Sequence, residues 1–421
     1  MDFFSELTWR GLVYDATEGA RDALARESLS AYIGFDPTAS SLHVGSLLQM
    51  VALAHLQRYG HSPIAVVGGG TGLIGDPSGK TTERALLTPE QVEANVASIR
   101  AQLARFLDFE RQPNPARIVN NAEWLTRLSA IEFMRDVGKH FSVNAMLTKD
   151  SVKRRLEGEE GISYTEFSYS LLQAYDFLEL HRRVGCTLQL GGSDQWGNIT
   201  AGMDLVRRVT GAKVHGLVLP LITTATGAKF GKTEAGTIWL DPSRTSPYEF
   251  YQFWVNVDDR DAGRYLRFFT FLERARIEEI EQTAAREPEK RHAQRELARE
   301  VTRLVHGADE MEQAERAAEK VFKGEIASMS RSELLQVFAS VGSAVIPRQA
   351  EGWRLPSLVV QAGLATSAGE ATRLIRQRAV HVNGRLLTDE KARVTAADAI
   401  EGEFFVVKKG KKELFLLRIE G

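Results

Sequence analysis

The sequence predicts an α/β protein: a doubly wound, parallel, Rossmann-like sheet, followed by an all-α domain and a small α+β domain. Three observations support this class. Strand and helix patterns alternate from residue 31 to about 225, which is typical of a parallel sheet with helices on both faces. Residues 236–345 are poor in glycine and show helical periodicity. Residues 355–421 combine short helical and strand patterns.

The first region contains clear element signals. The predicted elements are, in order, a strand at residues 31–35, a helix at 44–59, a strand at 63–67, a helix from Thr88, and strands at 118–119 and 188–190. Thr88, Pro89 and Gln91 supply a cap, a proline at the first helical position and the partner of a capping box. Ligands of such sheets bind at the carboxyl ends of the strands.

The rest of the chain divides by composition. Residues 236–345 predict a helical domain without a strand, and 346–354 predict a linker. After the linker we expect helices at 358–363 and 368–377, then strands interrupted at Asn383-Gly384 and Lys409-Gly410. The expected domains are 1–235, 236–345 and 355–421, with 346–354 between the last two.

Composition excludes several classes of protein. The chain has 421 residues, a net charge of -2 and a single cysteine, Cys186, so no intramolecular disulfide framework is possible. From Trp353 onward, 12 Lys and Arg stand against 8 Asp and Glu, a basic tail that suggests a polyanionic partner. The start lacks the pattern of a signal peptide, and no apolar stretch is long enough to span a membrane. We therefore expect a cytoplasmic protein.

Two glycine-rich patterns imitate nucleotide motifs. Residues 70–75 match the dinucleotide fingerprint, but turn residues follow at 76–79, where that fingerprint requires a starting helix. Residues 78–81 resemble the end of a P-loop, but Ile74 stands where its first glycine belongs. We expect instead that this run lets a ligand approach the backbone and leaves Asp76 facing a pocket.

Two signatures offer donors to phosphate. His43-Val44-Gly45-Ser46 opens the first helix with free N–H groups and a ring N–H, and Lys229-Phe230-Gly231-Lys232-Thr233 lies in a Gly-rich loop. Taken alone, His43 is more often structural, and the lysines suit any exposed loop. Together they favour activation of a substrate by ATP.

A polar stripe predicts a second part of the site. Tyr169, Gln173 and Asp176 are spaced four and three residues apart and so share one helix face. That face is either solvated or, with Tyr32 from the first strand, the wall of a cavity. Asp194 follows a strand and is either a helix N-cap or an acceptor for ribose hydroxyls.

At these residues the chain resembles the bacterial tyrosyl-tRNA synthetases, a family of class I aminoacyl-tRNA synthetases, over essentially its whole length. The matching segments are residues 32–38, 43–46, 69–80, 164–169, 173–176, 190–198 and 229–233. The two signatures identify only the class. The helix with Tyr169, Gln173 and Asp176, together with the Ser193-Asp194-Gln195-Trp196 turn, is specific for the tyrosine enzymes.

The resemblance implies a role for each candidate residue. Tyr32 and Asp176 would bind the phenolic hydroxyl of L-tyrosine. Its ammonium group would be held by Tyr169, Gln173 and Asp76, with Gln195 near its carboxylate. The ATP site would comprise Gly192 and Asp194 at the ribose, Asp36, Thr38 and His43 at the phosphates, Gly34, Gly45 and Ser46 beside them, and Lys229, Lys232 and Thr233 on a mobile loop. Lys80 and Arg84 would assist the phosphates or the tRNA acceptor end.

The resemblance also implies partners. ATP with Mg²⁺ would be a substrate, and no tightly bound cofactor or protein metal site is expected. The tail, with Arg373, Arg376 and Arg378 facing RNA phosphate, is similar to a small ribosomal-protein-like RNA-binding fold and would bind tyrosine tRNA; the alternative is a basic but solvated helix. The helical domain would approach the anticodon arm. Family members are homodimers, and no membrane association is expected.

Both signatures depart from the family pattern, the second as a variant familiar in the family that keeps Lys229 and Lys232. Ser46 stands where a second histidine is common, and we expect altered ATP affinity with activity retained. Two other functions stay open from the residues alone: an adenylyl- or nucleotidyl-transferase acting on another small acid, and a catalytically silent RNA-binding relative.

Overall fold

The computed structural model describes residues 2–78, 86–158, 161–227, 230–233, 236–339, 342–410 and 413–420, with the backbone only at 150, 151, 232 and 233. These residues form two compact units. Unit 1 comprises Met1–Asp241 and Val257–Leu297, and unit 2 comprises Pro242–Asn256 and Ala298–Gly421.

The described residues form helices and strands along most of the chain. The helices are α1 (Phe3–Arg10), α2 (Ala20–Arg26), α3 (Val44–Arg58), α4 (Pro89–Leu103), α5 (Ala122–Leu125), α6 (Ala130–Glu132), α7 (Val143–Leu147), α8 (Asp150–Leu156), α9 (Tyr164–Val184), α10 (Trp196–Thr210), α11 (Pro247–Val255), α12 (Asp259–Phe269), α13 (Arg274–Arg286), α14 (His292–His306), α15 (Ala308–Lys323), α16 (Arg331–Val337), α17 (Leu355–Gln361) and α18 (Ala368–Arg376). The strands are β1 (Asp15–Ala16), β2 (Ser30–Phe35), β3 (Ser62–Val67), β4 (Arg117–Asn120), β5 (Cys186–Gly192), β6 (His215–Leu219), β7 (Lys232–Thr233), β8 (Gly236–Thr237), β9 (Ser343–Ile346), β10 (Trp353–Arg354), β11 (Val380–Val382), β12 (Arg385–Leu386), β13 (Arg393–Val394), β14 (Phe404–Lys409) and β15 (Glu413–Ile419).

The six-stranded sheet of unit 1 has the order β1-β6-β5-β2-β3-β4. Its pairs are parallel except at the edge, where β1 runs antiparallel to β6. From β2 the chain builds outward through β3 and β4, and β5 then pairs with the other side of β2. This reversal confirms the predicted doubly wound sheet and opens a crevice between β2 and β5.

The capping box predicted at Thr88 is confirmed. The Gln91 N–H donates to Oγ1 of Thr88 at 3.3 Å, and the Thr88 N–H donates to Oε1 of Gln91 at 3.0 Å. Pro89 is the first residue of α4. The strand predictions lie within β2, β3, β4 and β5, because buried apolar runs bounded by glycine or polar residues leave little ambiguity.

A close approach between α9 and α10 positions the polar face of α9. A Cβ added to Gly202 of α10 would lie 3.1 Å from Cδ1 of Phe177 in α9. Phe177 in turn packs against the ring of Tyr32, with centroids 5.3 Å apart. The helix is therefore fixed against both its neighbour and the sheet.

Arg10 ties the end of α12 to α1. Its buried guanidinium donates to the carbonyl oxygens of Arg267, Thr270 and Leu272 at 2.7–2.9 Å, and Nε donates to Glu6 at 2.6 Å. Carbonyl groups at a helix end have no partner within the helix. One side chain thus satisfies this end and joins residues 257–297 to unit 1.

Unit 2 combines helices with a five-stranded sheet of order β12-β11-β14-β15-β9. Its helices and sheet share a hydrophobic cluster that includes Ala317, Leu334, Phe338, Phe404 and Val406. The prediction of a strand-free helical region up to 345 is wrong, because β9 pairs in parallel with β15. That pairing depends on a sequence-distant strand, so local periodicity does not reveal it.

The compact units divide the chain at other residues than the predicted domain boundaries. Residues 257–297 fall in unit 1, although 236–345 was expected to be one domain. Residues 298–339 and the tail share unit 2. Helical periodicity marks helices, and it carries no information about which neighbour each helix packs against.

Candidate functional site

A cavity of about 640 Å³ opens at the carboxyl ends of β2 and β5, where the strand order reverses. Its lining brings together most of the predicted site residues, namely Tyr32, Gly34, Asp36, His43, Gly45, Ser46, Asp76, Tyr169, Gln173, Asp176, Gly192, Asp194 and Gln195. Thr38 is exposed and does not contribute to the lining.

The predicted cationic residues are not among the described side chains. Lys80, Arg84 and Lys229 lie outside the described residues, and only the backbone of Lys232 and Thr233 is described, in β7. The described part of the lining carries four aspartates and neither lysine nor arginine. This part of the cavity therefore favours a cationic group, and a bound phosphate needs positive charge from elsewhere.

The polar face of α9 is part of the cavity wall. Tyr169 and Asp176 are 3% and 4% exposed, and both line the cavity with Gln173. The alternative of a solvated helix face is therefore wrong.

The floor of the cavity holds a buried phenol near a buried carboxylate. The Asp176 carboxylate accepts hydrogen bonds from Nε1 of Trp124 at 2.7 Å and from Nδ2 of Asn121 at 2.9 Å. The buried hydroxyl of Tyr32 has no partner within the part of the chain that the structure describes. A ligand hydroxyl, which both donates and accepts, matches these two groups.

Burial controls the protonation of both groups. Desolvation raises the pKa of Asp176 to about 7, although hydrogen bonds from Asn121 and Trp124 favour its charged form. Desolvation and the neighbouring Asp176 charge hold the pKa of the Tyr32 hydroxyl well above 10. Near pH 7, Tyr32 is therefore neutral and Asp176 is divided between its two forms.

Asp76 lies at the end of a chain of hydrogen-bonded side-chain amides. One carboxylate oxygen accepts from the Ser78 N–H at 2.8 Å, and the other accepts from Nε2 of Gln195 at 2.8 Å. Gln173 donates to Oε1 of Gln195 at 3.1 Å, and Asn198 donates to Oε1 of Gln173 at 3.1 Å. This arrangement places a carboxylate next to adaptable amide donors, a combination suited to an amino acid's ammonium and carboxylate groups.

Asp36 lies on the same side of the cavity as Tyr169. It accepts from the Tyr169 hydroxyl at 2.8 Å and from Oγ1 of Thr71 at 2.8 Å. Desolvation, followed by the charge of Asp36, holds the pKa of Tyr169 well above 10. Asp36, which the resemblance placed at phosphates, therefore contacts a residue expected at the ammonium group.

The start of α3 offers fewer donors than predicted. The Gly45 N–H donates to Nδ1 of His43 at 3.0 Å, and the Ser46 N–H donates to the His43 carbonyl at 2.8 Å. The Val44 N–H donates to the carbonyl of Ile238 at 3.1 Å. The prediction of free N–H groups is wrong, because the cap and a following segment of the chain use them. Since Nδ1 accepts, a neutral His43 ring carries its proton on Nε2 and presents it as a donor.

The two signatures meet at this helix start. Gly231 has φ +77°, and a Cβ added to it would lie 2.6 Å from Cγ2 of Val44. Phe230 lines the cavity and packs against Tyr265 and Phe269 of α12, with centroids 5.1 and 5.5 Å away. Gly231 thus lies against the start of α3, and Phe230 packs on α12.

Asp194 is not a helix cap. It lies inside the 3₁₀ turn Ser193–Gln195, and the N-cap of α10 is Gln195. Asp194 is exposed and lines the cavity. A Cβ on Gly192 would lie 2.6 Å from its Oδ1, so a side chain at this position would force the Asp194 carboxylate to shift.

The basic residues of the tail lie in unit 2. Arg373, Arg376 and Arg378 are all exposed. Arg376 forms a bidentate pair with Glu390, with Nη2 2.9 Å from Oε1. No ion pair involves Arg373 or Arg378 among the described residues.

Sequence reasoning missed several residues of the site. Asn121, Trp124, Thr71, Gln189 and Asn198 contribute to its hydrogen bonds or lining. Asn121 follows β4, so its place at a strand end was a usable signal. For Trp124 the sequence gives no such signal, because a buried tryptophan is usually part of the core.

The described residues show neither a metal-binding cluster nor a membrane-spanning helix. They contain no group of three or more His, Cys, Asp and Glu side chains arranged to hold a metal ion. None of their helices is long and apolar enough to cross a membrane.

Sequence comparisons cover both units. The family model for tRNA synthetases class I (W and Y) matches residues 24–323, and the model for the tyrosine–tRNA ligase SYY-like C-terminal domain matches 333–417. The tyrosine–tRNA ligase of Roseiflexus castenholzii is 55% identical over 417 residues, which is 98% of each chain. That of Geobacillus stearothermophilus is 53% identical over 423 residues, covering 99% of this chain and 100% of the relative.

Solved structures give a consistent result. A C-terminally truncated mitochondrial tyrosyl-tRNA synthetase from Aspergillus nidulans has a TM-score of 0.69 and 33% identity, covering 76% of this chain and 94% of that one. A tryptophanyl-tRNA synthetase from Encephalitozoon cuniculi has a TM-score of 0.52 at 12% identity and covers 74% and 87%. The second similarity is one of fold only.

Replacing Trp124 by phenylalanine removes one donor to Asp176. Because that hydrogen bond favours the charged carboxylate, we expect the pKa of Asp176 to rise from about 7. Carboxyl ¹³C NMR titration, with the Asp176 signal assigned by Asp176→Asn, measures this. Trp9→Phe, which alters a tryptophan beside Arg10, serves as the control and should leave the value unchanged. A fall in the Asp176 pKa would contradict the role of the indole.

Proposed function

The chain belongs to the class I tRNA synthetases, among the tyrosine–tRNA ligases, and from this premise we propose how its residues perform the reaction. The enzyme activates L-tyrosine with ATP, giving tyrosyl-adenylate and pyrophosphate, and then transfers the tyrosyl group to the 3′ end of tyrosine tRNA. The observation that carries the proposal is the Tyr32 hydroxyl, which lies beside Asp176 on the cavity floor and has no partner among the described residues.

The phenol of the substrate binds at this floor. Its hydroxyl donates to a lone pair of the Asp176 carboxylate and accepts from Tyr32, which completes the hydrogen bonds of both buried groups. Phenylalanine brings no such group and leaves them unpaired, which is costly in a desolvated site. Selectivity for tyrosine therefore comes from the free-energy cost of leaving Tyr32 and Asp176 unpaired when phenylalanine binds.

The amino acid's charged end binds at the amide chain around Asp76. The ammonium group bonds to Asp76, to Oε1 of Gln173 and to the Tyr169 hydroxyl, whose position Asp36 fixes. Gln195 now donates to Asp76. When the ammonium group takes over that carboxylate, the Gln195 amide can turn to the substrate carboxylate.

ATP occupies the other end of the cavity. Asp194 accepts from the ribose hydroxyls beside Gly192, while Gly34 and Gly45 let the nucleotide approach the backbone. His43 Nε2–H and the Ser46 hydroxyl face the phosphates, with Thr38 at the edge of this region. Lys229, Lys232, Thr233, Lys80 and Arg84 supply the donors and positive charge that the described lining lacks. Bound to ATP, Mg²⁺ would neutralise part of the phosphate charge.

The chemistry requires no general base. A carboxylate oxygen of tyrosine attacks the α-phosphorus, the bond to the bridging oxygen breaks, and pyrophosphate leaves with the electron pair. The protein aligns the two reactants and stabilises the charge on the leaving group. Because the described lining is acidic, the charges of Lys229 and Lys232 are decisive for binding the phosphates.

Transfer RNA binds unit 2 through its basic tail. Arg373 and Arg378 are exposed and present charge to RNA phosphate, whereas Arg376 already pairs with Glu390. Residues 236–345 supply helices for the anticodon arm. Because charging of tRNA is a step of protein synthesis, we place the enzyme in the cytoplasm.

A homodimer is supported by exposed apolar side chains in one stretch of unit 1. Ile131, Met134, Val143, Leu147, Leu156 and Tyr164 are between 38% and 73% exposed. Clusters of exposed apolar residues are typical of protein interfaces. We therefore place the subunit contact in residues 131–164.

Tyr32→Phe tests recognition of the phenol. Because the variant loses one hydrogen bond to tyrosine, we expect the ratio of kcat/KM for tyrosine to that for phenylalanine to fall about tenfold. Pyrophosphate–ATP exchange measures both. Tyr175→Phe, in α9 and outside the cavity lining, is the control and should keep the ratio. Exchange in the unaltered enzyme with other acids only, or no exchange at all, would overturn the proposed function.

Arg373→Ala and Arg378→Ala test the tail. Each should raise KM for tRNA and reduce the slope of log affinity against log salt by about one, since one phosphate contact is lost. Pyrophosphate exchange should be unchanged. The matched variant Arg376→Ala should have a smaller effect, because Glu390 already neutralises that charge. Equal effects of all three would contradict this assignment.

Ile131→Asp combined with Tyr164→Asp tests the interface. Burying two carboxylates in an apolar contact is unfavourable, so sedimentation should show particles of the single-chain mass, 46.8 kDa, in place of twice that mass. Phe322→Asp, an exposed phenylalanine elsewhere, should leave the dimer intact. A dimer that persists in the double variant would place the contact outside residues 131–164.

A further inference from the structure

Arg183 contacts the tryptophan that donates to Asp176, although it is not part of the described cavity lining. Its Cζ atom lies over the indole of Trp124, 5.2 Å from the ring centroid. Nε1 of the same indole donates to Oδ1 of Asp176 at 2.7 Å. Trp124 is 3% exposed, whereas the Arg183 side chain is 46% exposed. A surface cation therefore touches the ring whose N–H holds the buried carboxylate.

These two contacts fix Trp124 at two places on one helix. Asp176 and Arg183 both belong to α9, and a separation of seven residues is close to two helical turns, so they share a face about 10 Å apart along the axis. Trp124 belongs to α5, and its indole joins the two positions. A ring held only by its N–H is free to tilt, and the guanidinium over its face removes that freedom.

Arg183 is itself held by Glu179, which it shares with Arg182. Nε of Arg183 donates to Oε2 of Glu179 at 2.9 Å, and Nη1 of Arg182 donates to Oε1 at 3.4 Å. Desolvation is the main cause of the raised pKa of Asp176, and the charge of Glu179 raises it further. Both arginines therefore counter that charge, but of the two only Arg183 covers Trp124 in the described part of the chain.

We propose that Arg183 is a positioning residue for recognition of the substrate phenol, because it holds the Trp124 indole in place to donate to Asp176. This inference rests on the proposed binding of tyrosine. A cation is attracted to the face of an indole. It also draws electron density from the ring, and the polarised N–H becomes a better donor. With this donor fixed, the carboxylate keeps a lone pair available for the substrate hydroxyl.

Arg183→Gln tests this role, since it removes the cation and keeps a side chain that can donate to Glu179. In pyrophosphate exchange by the full chain, we expect the ratio of kcat/KM for tyrosine to that for phenylalanine to fall about threefold, the effect of one exposed cation–π contact. KM for ATP should be unchanged. Arg183→Lys keeps the charge and should restore most of the ratio.

Arg182→Gln is the matched control. The side chains of Arg182 and Arg183 are both 46% exposed, and both pair with Glu179, so each variant weakens the same group of ion pairs. The control should keep the ratio, because Arg182 does not cover the indole. Equal falls in the two variants would show that the effect passes through the Glu179 charge, which overturns the proposal.

Combining Arg183→Gln with Trp124→Phe shows whether the arginine acts through the indole. Phenylalanine has no N–H to donate to Asp176, so in that background Arg183→Gln should no longer change the ratio. A fall of the same size in both backgrounds contradicts the proposed role. If exchange by Trp124→Phe is too slow to measure, the dissociation constants of tyrosine for the four proteins, from equilibrium dialysis, complete the same cycle.

The outcomes separate this inference from the proposed function. Normal tyrosine exchange with the same ratio in the unaltered enzyme and in Arg183→Gln overturns the role of Arg183 alone. Absence of tyrosine exchange in the unaltered enzyme overturns the proposed function, and this inference with it.

Discussion

The buried carboxylate of Asp176 is the constraint on which the cavity depends. A desolvated carboxylate is unstable unless donors surround it, and Asn121 and Trp124 supply them. The Asn121 amide also donates to Oγ1 of Thr71, and its Oδ1 accepts from the Gly70 N–H. One asparagine thus connects the cavity floor to the glycine-rich turn, and through Thr71 to Asp36. Loss of this residue would disturb both ends of the amino acid site together.

The sheet could be predicted from the sequence because its strands are continuous apolar runs at regular intervals. Helix starts could be predicted equally well where the capping residues are close in sequence, as at Thr88. The same reasoning missed β6 as a named strand and β9 altogether. It also missed that residues 257–297 pack with the first unit, which depends on contacts such as Arg10 with Thr270. Long-range pairings of this kind leave no periodic signal.

The site was predictable to the extent that its residues sit at strand ends or on one helix face. Tyr32, Asp76, Gln173 and Asp176 do line one cavity. The sequence could not indicate that the first N–H groups of α3 are already used, because their acceptors include the ring of His43 itself and the distant Ile238. Nor could it distinguish Trp124, a hydrogen-bond donor, from an ordinary core tryptophan.

The chain enters unit 2 at Pro242, returns to unit 1 at Val257 and leaves it again after Leu297. On a ribosome, unit 1 therefore cannot be completed until residue 297 has emerged. The segment 242–256 cannot pack until the rest of unit 2, from residue 298 onward, has also emerged. Helix α11 in that segment buries Phe250 and Trp254 in the finished protein. A nascent chain stalled between these points exposes both aromatics, and transiently exposed hydrophobic surface favours aggregation.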